Sequence, residues 1–214
     1  IGRPLASAFP SPFAPREIEM ERVSFGLAGT FENGFDWNFD MTRSAEDNYG
    51  SQPDTGTSKL AAAIDGRGGP SGNETFDLFD PTANSQTLRD WLRSDQETWT
   101  NVVLSVVDFV MSGEVGGIDL AVGAQQRREK YDITRSPNSI VEFDAAGNLT
   151  KPADMIFLGG GTESSASRTT NAVFLEASTD LSEHLELKGA VRYEDLENDS
   201  NVDPKLSLRY QASD

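Results

Sequence analysis

The chain has 214 residues with a formal net charge of −17, so it lacks the basic surface that nucleic-acid binding requires. With no cysteine it has neither a disulfide scaffold nor a thiolate metal site, and with one histidine, His184, any Ser-His-Asp or Cys-His chemistry would pass through a single residue. Hydrophobic residues make up 36%, and no run nears the roughly 20 apolar residues of a membrane-spanning helix, which leaves short-stranded membrane barrels open.

Residues 1–16, "IGRPLASAFPSPFAPR", carry four prolines and no periodicity, and read as a loop. No signal peptide opens the sequence and its first residue is Ile1, which points to a piece of something longer. Residues 17–43 form a predicted hairpin. Phe25, Leu27, Phe31, Phe35, Trp37, Phe39 and Met41 are all odd-numbered, while Asp36, Asn38 and Asp40 fall between them. Glu32-Asn33-Gly34 suits a three-residue turn. Phe31 then faces Phe35, Gly29 faces Trp37, Leu27 faces Phe39 and Phe25 faces Met41, all on one side.

Residues 44–98 are polar and turn-rich and read as a long loop with two small helices, "TSKLAAAID" and "NSQTLRDWLRSD". The second has Asn84 or Ser85 as its N-cap. Residues 99–131 form a second hairpin around a glycine turn. Ile118, Leu120, Val122 and Ala124 share one face of its second arm; the first arm is apolar on both faces, so its orientation is open. Residues 132–167 are another polar loop. Residues 168–196 give a third hairpin, with Leu185, Leu187, Val191 and Tyr193 on one face and Glu186, Lys188, Arg192 and Glu194 on the other. A last strand covers 203–211. His184 sits in the turn of the third hairpin and reads as a solvated residue.

The fold class that follows is all-β: an antiparallel up-and-down meander of roughly seven strands. Short turns fall at one end, and long loops with small helices at the other, as in an outer-membrane barrel. Alternation alone does not separate this from a soluble sandwich, which hides the same apolar face in a core. The band of limited height, the loop asymmetry and the dense charges on the opposite face favour part of a transmembrane β-barrel, which the resemblance below makes a large one.

The segments "ERVSFGLAGTFENGFDWNFDMTRS", "SGEVGGIDLAVGAQQRREKYD", "NAVFLEASTDLSEHLELKGAVRYEDL" and "DPKLSLRYQ" together resemble the barrel of TonB-dependent outer-membrane receptors. The resemblance implies a 22-stranded barrel with a plugged lumen. It also implies uptake of a scarce, bulky nutrient, such as a ferric siderophore, a cobalamin or an oligosaccharide, across the outer membrane of a Gram-negative bacterium. The implied partners are outer-membrane lipid, the remaining barrel and plug of the same chain, TonB acting through that plug, and the extracellular ligand. The segments contain neither plug nor TonB box, so the expectation is a portion of barrel wall and not an enzyme. The alternative is a secreted all-β adhesion or recognition domain. A secreted glycosidase would need a placed carboxylate pair, which no motif supplies.

The lipid-facing set expected on this reading is Phe25, Leu27, Phe31, Phe35, Trp37, Phe39, Met41, Leu185, Leu187, Val191 and Tyr193. Phe76, Phe79, Trp91 and Trp99 are the candidate ligand contacts, as large aromatic faces assigned to the long loop. No cofactor is implied. Glu74, Asp77 and Asp80 are oxygen donors for Ca²⁺ without the EF-hand spacing. "FLGGGTESS" lacks the Gly-Lys-Ser/Thr of a phosphate loop.

Overall fold

A computed structural model describes residues 14–212. The expected loop at 1–16 lies almost wholly outside them. In chain order the elements are β1 (Arg16–Thr30), β2 (Asp36–Thr55), α1 (Thr57–Ile64), α2 (Gln86–Leu92), β3 (Arg93–Val115), β4 (Ile118–Arg135), β5 (Glu142–Phe143), β6 (Leu149–Lys151), β7 (Ser164–Ser182), β8 (Leu185–Asp195) and β9 (Ser200–Tyr210). Seven strands make one antiparallel sheet in the order β1-β2-β3-β4-β7-β8-β9, and β5 and β6 form a separate small hairpin. No helix among the described residues is long and apolar enough to cross a membrane.

Local chemistry sets the first turn. The Phe31 amide donates to the Phe35 carbonyl at 2.7 Å, and Gly34 donates to the Phe31 carbonyl at 2.9 Å. Gly34 has φ +84°, a left-handed conformation that costs a glycine little. Ser24 bonds Thr42 at 3.0 Å, and the Thr30 hydroxyl donates to the Asp36 carboxylate at 2.7 Å. These contacts fix the register expected from the sequence. Trp37 lies over Gly29, where an added Cβ would meet the indole at 2.9 Å. Phe31 and Trp37 sit with their ring centroids 6.1 Å apart.

The strands run further than the alternation predicts. β2 continues to Thr55 instead of ending at 43, β3 begins at Arg93 instead of 99, β4 reaches Arg135, and β7 starts at Ser164. The second helix correspondingly stops at Leu92, and "RSD" joins β3. These extensions are polar on both faces and carry no alternation to read. Their backbones pair regardless, because sheet hydrogen bonding does not depend on side-chain polarity. β9 begins at Ser200 and contains Pro204 opposite Val191; in the seven-strand order it lies at an edge, where a missing N–H is tolerated.

The described chain divides into two compact units. One comprises the described residues of Ile1–Glu19 with Asp47–Asn101 and Asp132–Ser165, and so holds both long loops. Its core is Leu60, Ala63, Phe76, Leu88 and Leu92, with Trp91 and Ile156 packed against it. The other comprises Met20–Glu46, Val102–Tyr131 and the described residues of Ala166–Asp214, including the turns after β1, β3 and β7.

Candidate functional site: loop surface and sheet faces

In the loop-bearing unit two buried or capping carboxylates join segments far apart in sequence. Gly56 offers α1 no side-chain cap. Asp154 supplies one from the second loop, accepting from the Ser58 amide at 2.7 Å and its hydroxyl at 2.5 Å. Asp54 is buried at the end of β2 and accepts from the amides of Thr55, Phe157 and Leu158 at 2.6, 3.0 and 2.7 Å. The Ile156 amide donates to the Thr55 carbonyl at 3.1 Å. The two loops are thereby one packed body, and their surface is held in shape.

That body presents two apolar tips. Asp77 accepts from the amides of Phe79 and Asp80 at 2.8 and 2.9 Å, forming a tight turn. The Asn84 amide group holds the same turn from behind, accepting from the Asp77 amide and donating to its carbonyl. Asp80 caps the next turn through the Thr82 amide and hydroxyl, at 3.0 and 2.5 Å. Phe79 stands between these anchors 99% exposed, beside half-exposed Leu78. The second tip is the β5–β6 hairpin, where Asp144 gathers the Ala146 and Asn148 amides and leaves Phe143 and Leu149 exposed.

Of the four aromatic residues expected as ligand contacts, Phe79 and Trp99 present exposed faces, at 99% and 43%. Phe76 is corrected outright: at 4% exposure it fills the core under α1 and α2 and has no face to offer a ligand. Trp91 packs on that core with the Lys59 ammonium 5.8 Å above its ring. Trp99 is not in the loop but in β3, with its centroid 5.4 Å from the ring of Tyr49 on β2. Phe143 and Leu149 went unpredicted, although their Asp-Gly-Asn turn chemistry is visible in "FDAAGNL". The carboxylates considered for Ca²⁺ are engaged locally: Glu74 with the Ser85 hydroxyl at 2.6 Å, Asp77 and Asp80 in their turns. No metal-capable group of three such side chains occurs among the described residues.

In the second unit the two faces of the sheet differ sharply. One carries Phe25, Leu27, Phe31, Met41, Val191 and Tyr193, all exposed, with Phe35, Trp37, Phe39, Leu185 and Leu187 beside them in part. Cross-strand partners continue it: Val173 opposite Tyr193, Leu175 opposite Val191, and Leu208 opposite Leu187. The orientation of β3 that the sequence left open is now fixed. Asp108 accepts from the Gln125 side-chain amide at 2.6 Å, which puts the even positions of β3 on the polar face. Arg192 donates to Gln125 and Glu194 at 2.9 and 2.8 Å and lies 5.9 Å from the Phe174 ring. Arg168 donates twice to Glu129. One face is thus apolar and uncovered among the described residues, and the other is a network of ion pairs and amides.

The family model of the TonB-dependent receptor-like β-barrel matches residues 4–214. The chain belongs to the TonB-dependent receptor barrel family. No curated protein matches it. The family is one of outer-membrane transporters in Gram-negative bacteria, in which the barrel works with a plug and with TonB. The uncovered apolar face and the polar opposite face are the arrangement such a barrel wall needs.

The Phe79 turn yields a pH prediction. Hydrogen bonds from the Thr82 hydroxyl and amide hold the Asp80 carboxyl below its usual value. A lowered carboxylate stabilises the turn above its unfolded pKa, near about 4, and loses that contribution as pH falls through the folded value. Carboxyl NMR of the full-length protein should give Asp80 a midpoint below an ordinary aspartate. Thr82→Ala should move it upward. An unshifted midpoint in the natural protein would contradict the capping role.

Proposed function

We propose that this chain is barrel wall and external loop surface of a receptor that takes up a bulky nutrient, of the ferric siderophore, cobalamin or oligosaccharide class, across the outer membrane. The observation that carries the reading is the uncovered aromatic and aliphatic face. On that reading Phe25, Leu27, Phe31, Phe35, Trp37, Phe39, Met41, Leu185, Leu187, Val191 and Tyr193 meet lipid. The run Val23–Phe31 and the run Leu185–Tyr193 each span nine residues. That is within the roughly 9–11 residues a tilted transmembrane strand needs. β1, at one edge of the sheet, and β8, next to the other edge, give bands of the same length, as a hydrocarbon layer of one thickness requires.

The polar face then turns to the lumen, where the plug of the same protein stands, with TonB energising transport through it. β1 and β9, the edges of the seven-strand sheet, pair with further strands of the barrel. A secreted adhesion domain would instead need a second sheet over Phe25, Leu27, Phe39 and Met41. The exposure of Phe25, Leu27 and Met41 speaks against one.

Fractionation of cells producing the full-length protein tests the class. It should remain with the outer membrane and leave it only in detergent; recovery from the soluble fraction would overturn the reading. Nutrient contact falls to the loop tips, Phe79 first. Phe79→Ala should weaken binding of whichever member of a ferric siderophore, cobalamin and oligosaccharide panel the receptor takes by about tenfold, the scale of a modest aromatic hot spot. Unchanged affinity would remove Phe79 from the ligand site.

A further inference from the structure

At the end of the apolar band away from the short turns, the same sheet face carries a row of cations. Ser24 bonds Thr42, so Arg43 lies opposite Val23, where the apolar run of β1 ends. Phe35 lies over Gly113 and Asn101 bonds Asp47, two anchors of one register that set Ser105 across from Arg43. The Gln125–Asp108 bond sets Arg128 across from Ser105. The row therefore reads Val23, Arg43, Ser105 and Arg128 over four adjacent strands. Alternation puts it on the face of Phe39, Met41, Phe109 and Ala124. Lys130 follows Arg128 on that face, one alternation farther from the turns.

Arg43 and Arg128 are exposed, and neither guanidinium has an ion pair or hydrogen bond among the described residues. Arginines of the opposite face are held instead: Arg168 by Glu129 and Arg192 by Glu194. Two strand spacings, about 10 Å, separate the backbones at 43 and 128, a gap that two arginine side chains close from both sides with the Ser105 hydroxyl between them. Carboxylates flank this row without entering it. Glu21 stands one alternation beyond Val23, and Glu197 accepts from the amide of Thr169, on the far side of Arg128.

Below Arg128 the same face opens into a groove of about 470 Å³, lined by Val107, Phe109, Ala124, Gln126, Val173 and Tyr193 among others. The Gln126–Asn171 bond sets Ala124 across from Val173, and the Asp108–Gln125 pair sets it across from Phe109. A small side chain between two large ones makes the floor. Gln126, next below Arg128 on this face, marks the end of the groove nearest the cations.

We propose that Arg43, Ser105 and Arg128 bind the phosphate of a membrane lipid whose acyl chain lies in the groove over Ala124. Guanidinium groups give phosphate oxygens paired N–H donors, and the serine hydroxyl gives one more. Two cations without partners select an anionic head, and the adjoining apolar groove selects a phosphate that carries a hydrocarbon chain over a free one. The lipid source rests on the reading of this face as turned to the membrane; the cation row itself does not.

Native mass spectrometry of the full-length protein in detergent, titrated with dioleoylphosphatidic acid, dioleoylglycerol or inorganic phosphate, tests the site. The phosphatidic acid should bind best. Its affinity should fall about fivefold in Arg43→Gln or Arg128→Gln and about thirtyfold in the double variant, the scale of one cation each at an anionic lipid surface. Ala124→Trp, which fills the groove from an exposed position, should also weaken it. Lys188→Gln, the same charge loss on the opposite face, should leave it unchanged. Equal binding of dioleoylglycerol, or full affinity in the double variant, would overturn the phosphate site. Full affinity in Ala124→Trp would overturn the acyl groove, and displacement of the lipid by inorganic phosphate would overturn the lipid as the source. Any of these failures with the protein still in the outer-membrane fraction would leave the receptor reading intact.

Discussion

A sheet face of phenylalanine, leucine, valine and tyrosine cannot be left against water, and every other feature of this chain follows from how that constraint is met. Contiguous exposed apolar surface of this extent marks contact with something other than solvent. Strand alternation creates the face, since each side chain points opposite to its neighbours. The first turn fixes which residues share it: a loop one residue longer or shorter would slip the register and put Phe39 and Met41 on the face opposite Phe25 and Leu27. Gly29 contributes by letting Trp37 lie flat on the backbone, which keeps the face continuous where a side chain is absent.

The opposite face answers a different demand. Arg168 with Glu129, and Arg192 with Gln125 and Glu194, pair charges laterally between strands. Such pairs hold long side chains against the sheet. The even positions of β3 add Val106 and Val110 to this face, so it is mixed and not uniformly wet. A face of this kind suits contact with folded polypeptide as well as water.

Much of this was legible in the sequence, and what was not has physical causes. The hairpin at 17–43 announces its register through Glu32-Asn33-Gly34 and seven odd-numbered apolar residues. β8 does the same through Leu185, Leu187, Val191 and Tyr193. The continuations "SAEDNYGSQPDT" and "RSDQETW" were unreadable as strand, because neither of their faces is consistently apolar. Loop aromatics were harder still. Phe76 and Phe79 are three residues apart with similar neighbours, yet one is in the loop core and the other is on its tip. The difference comes from partners that no periodic pattern marks: Ala63 accepts the Phe76 amide, while Asn84 fixes the turn that lifts Phe79. Asp54 and Asp154 carry no local signature of their joining role, since the segments they join lie about a hundred residues apart.

The central claim is that the odd positions of β8 meet hydrocarbon and the even positions meet the interior. Single nitroxide labels at successive positions from 185 to 193, in the full-length protein reconstituted in liposomes, test it directly. Collision with oxygen should peak at the odd positions 185, 187, 189, 191 and 193, and collision with a water-soluble nickel chelate should not rise there. A flat oxygen profile, or maxima at 186, 188 and 192, would contradict it.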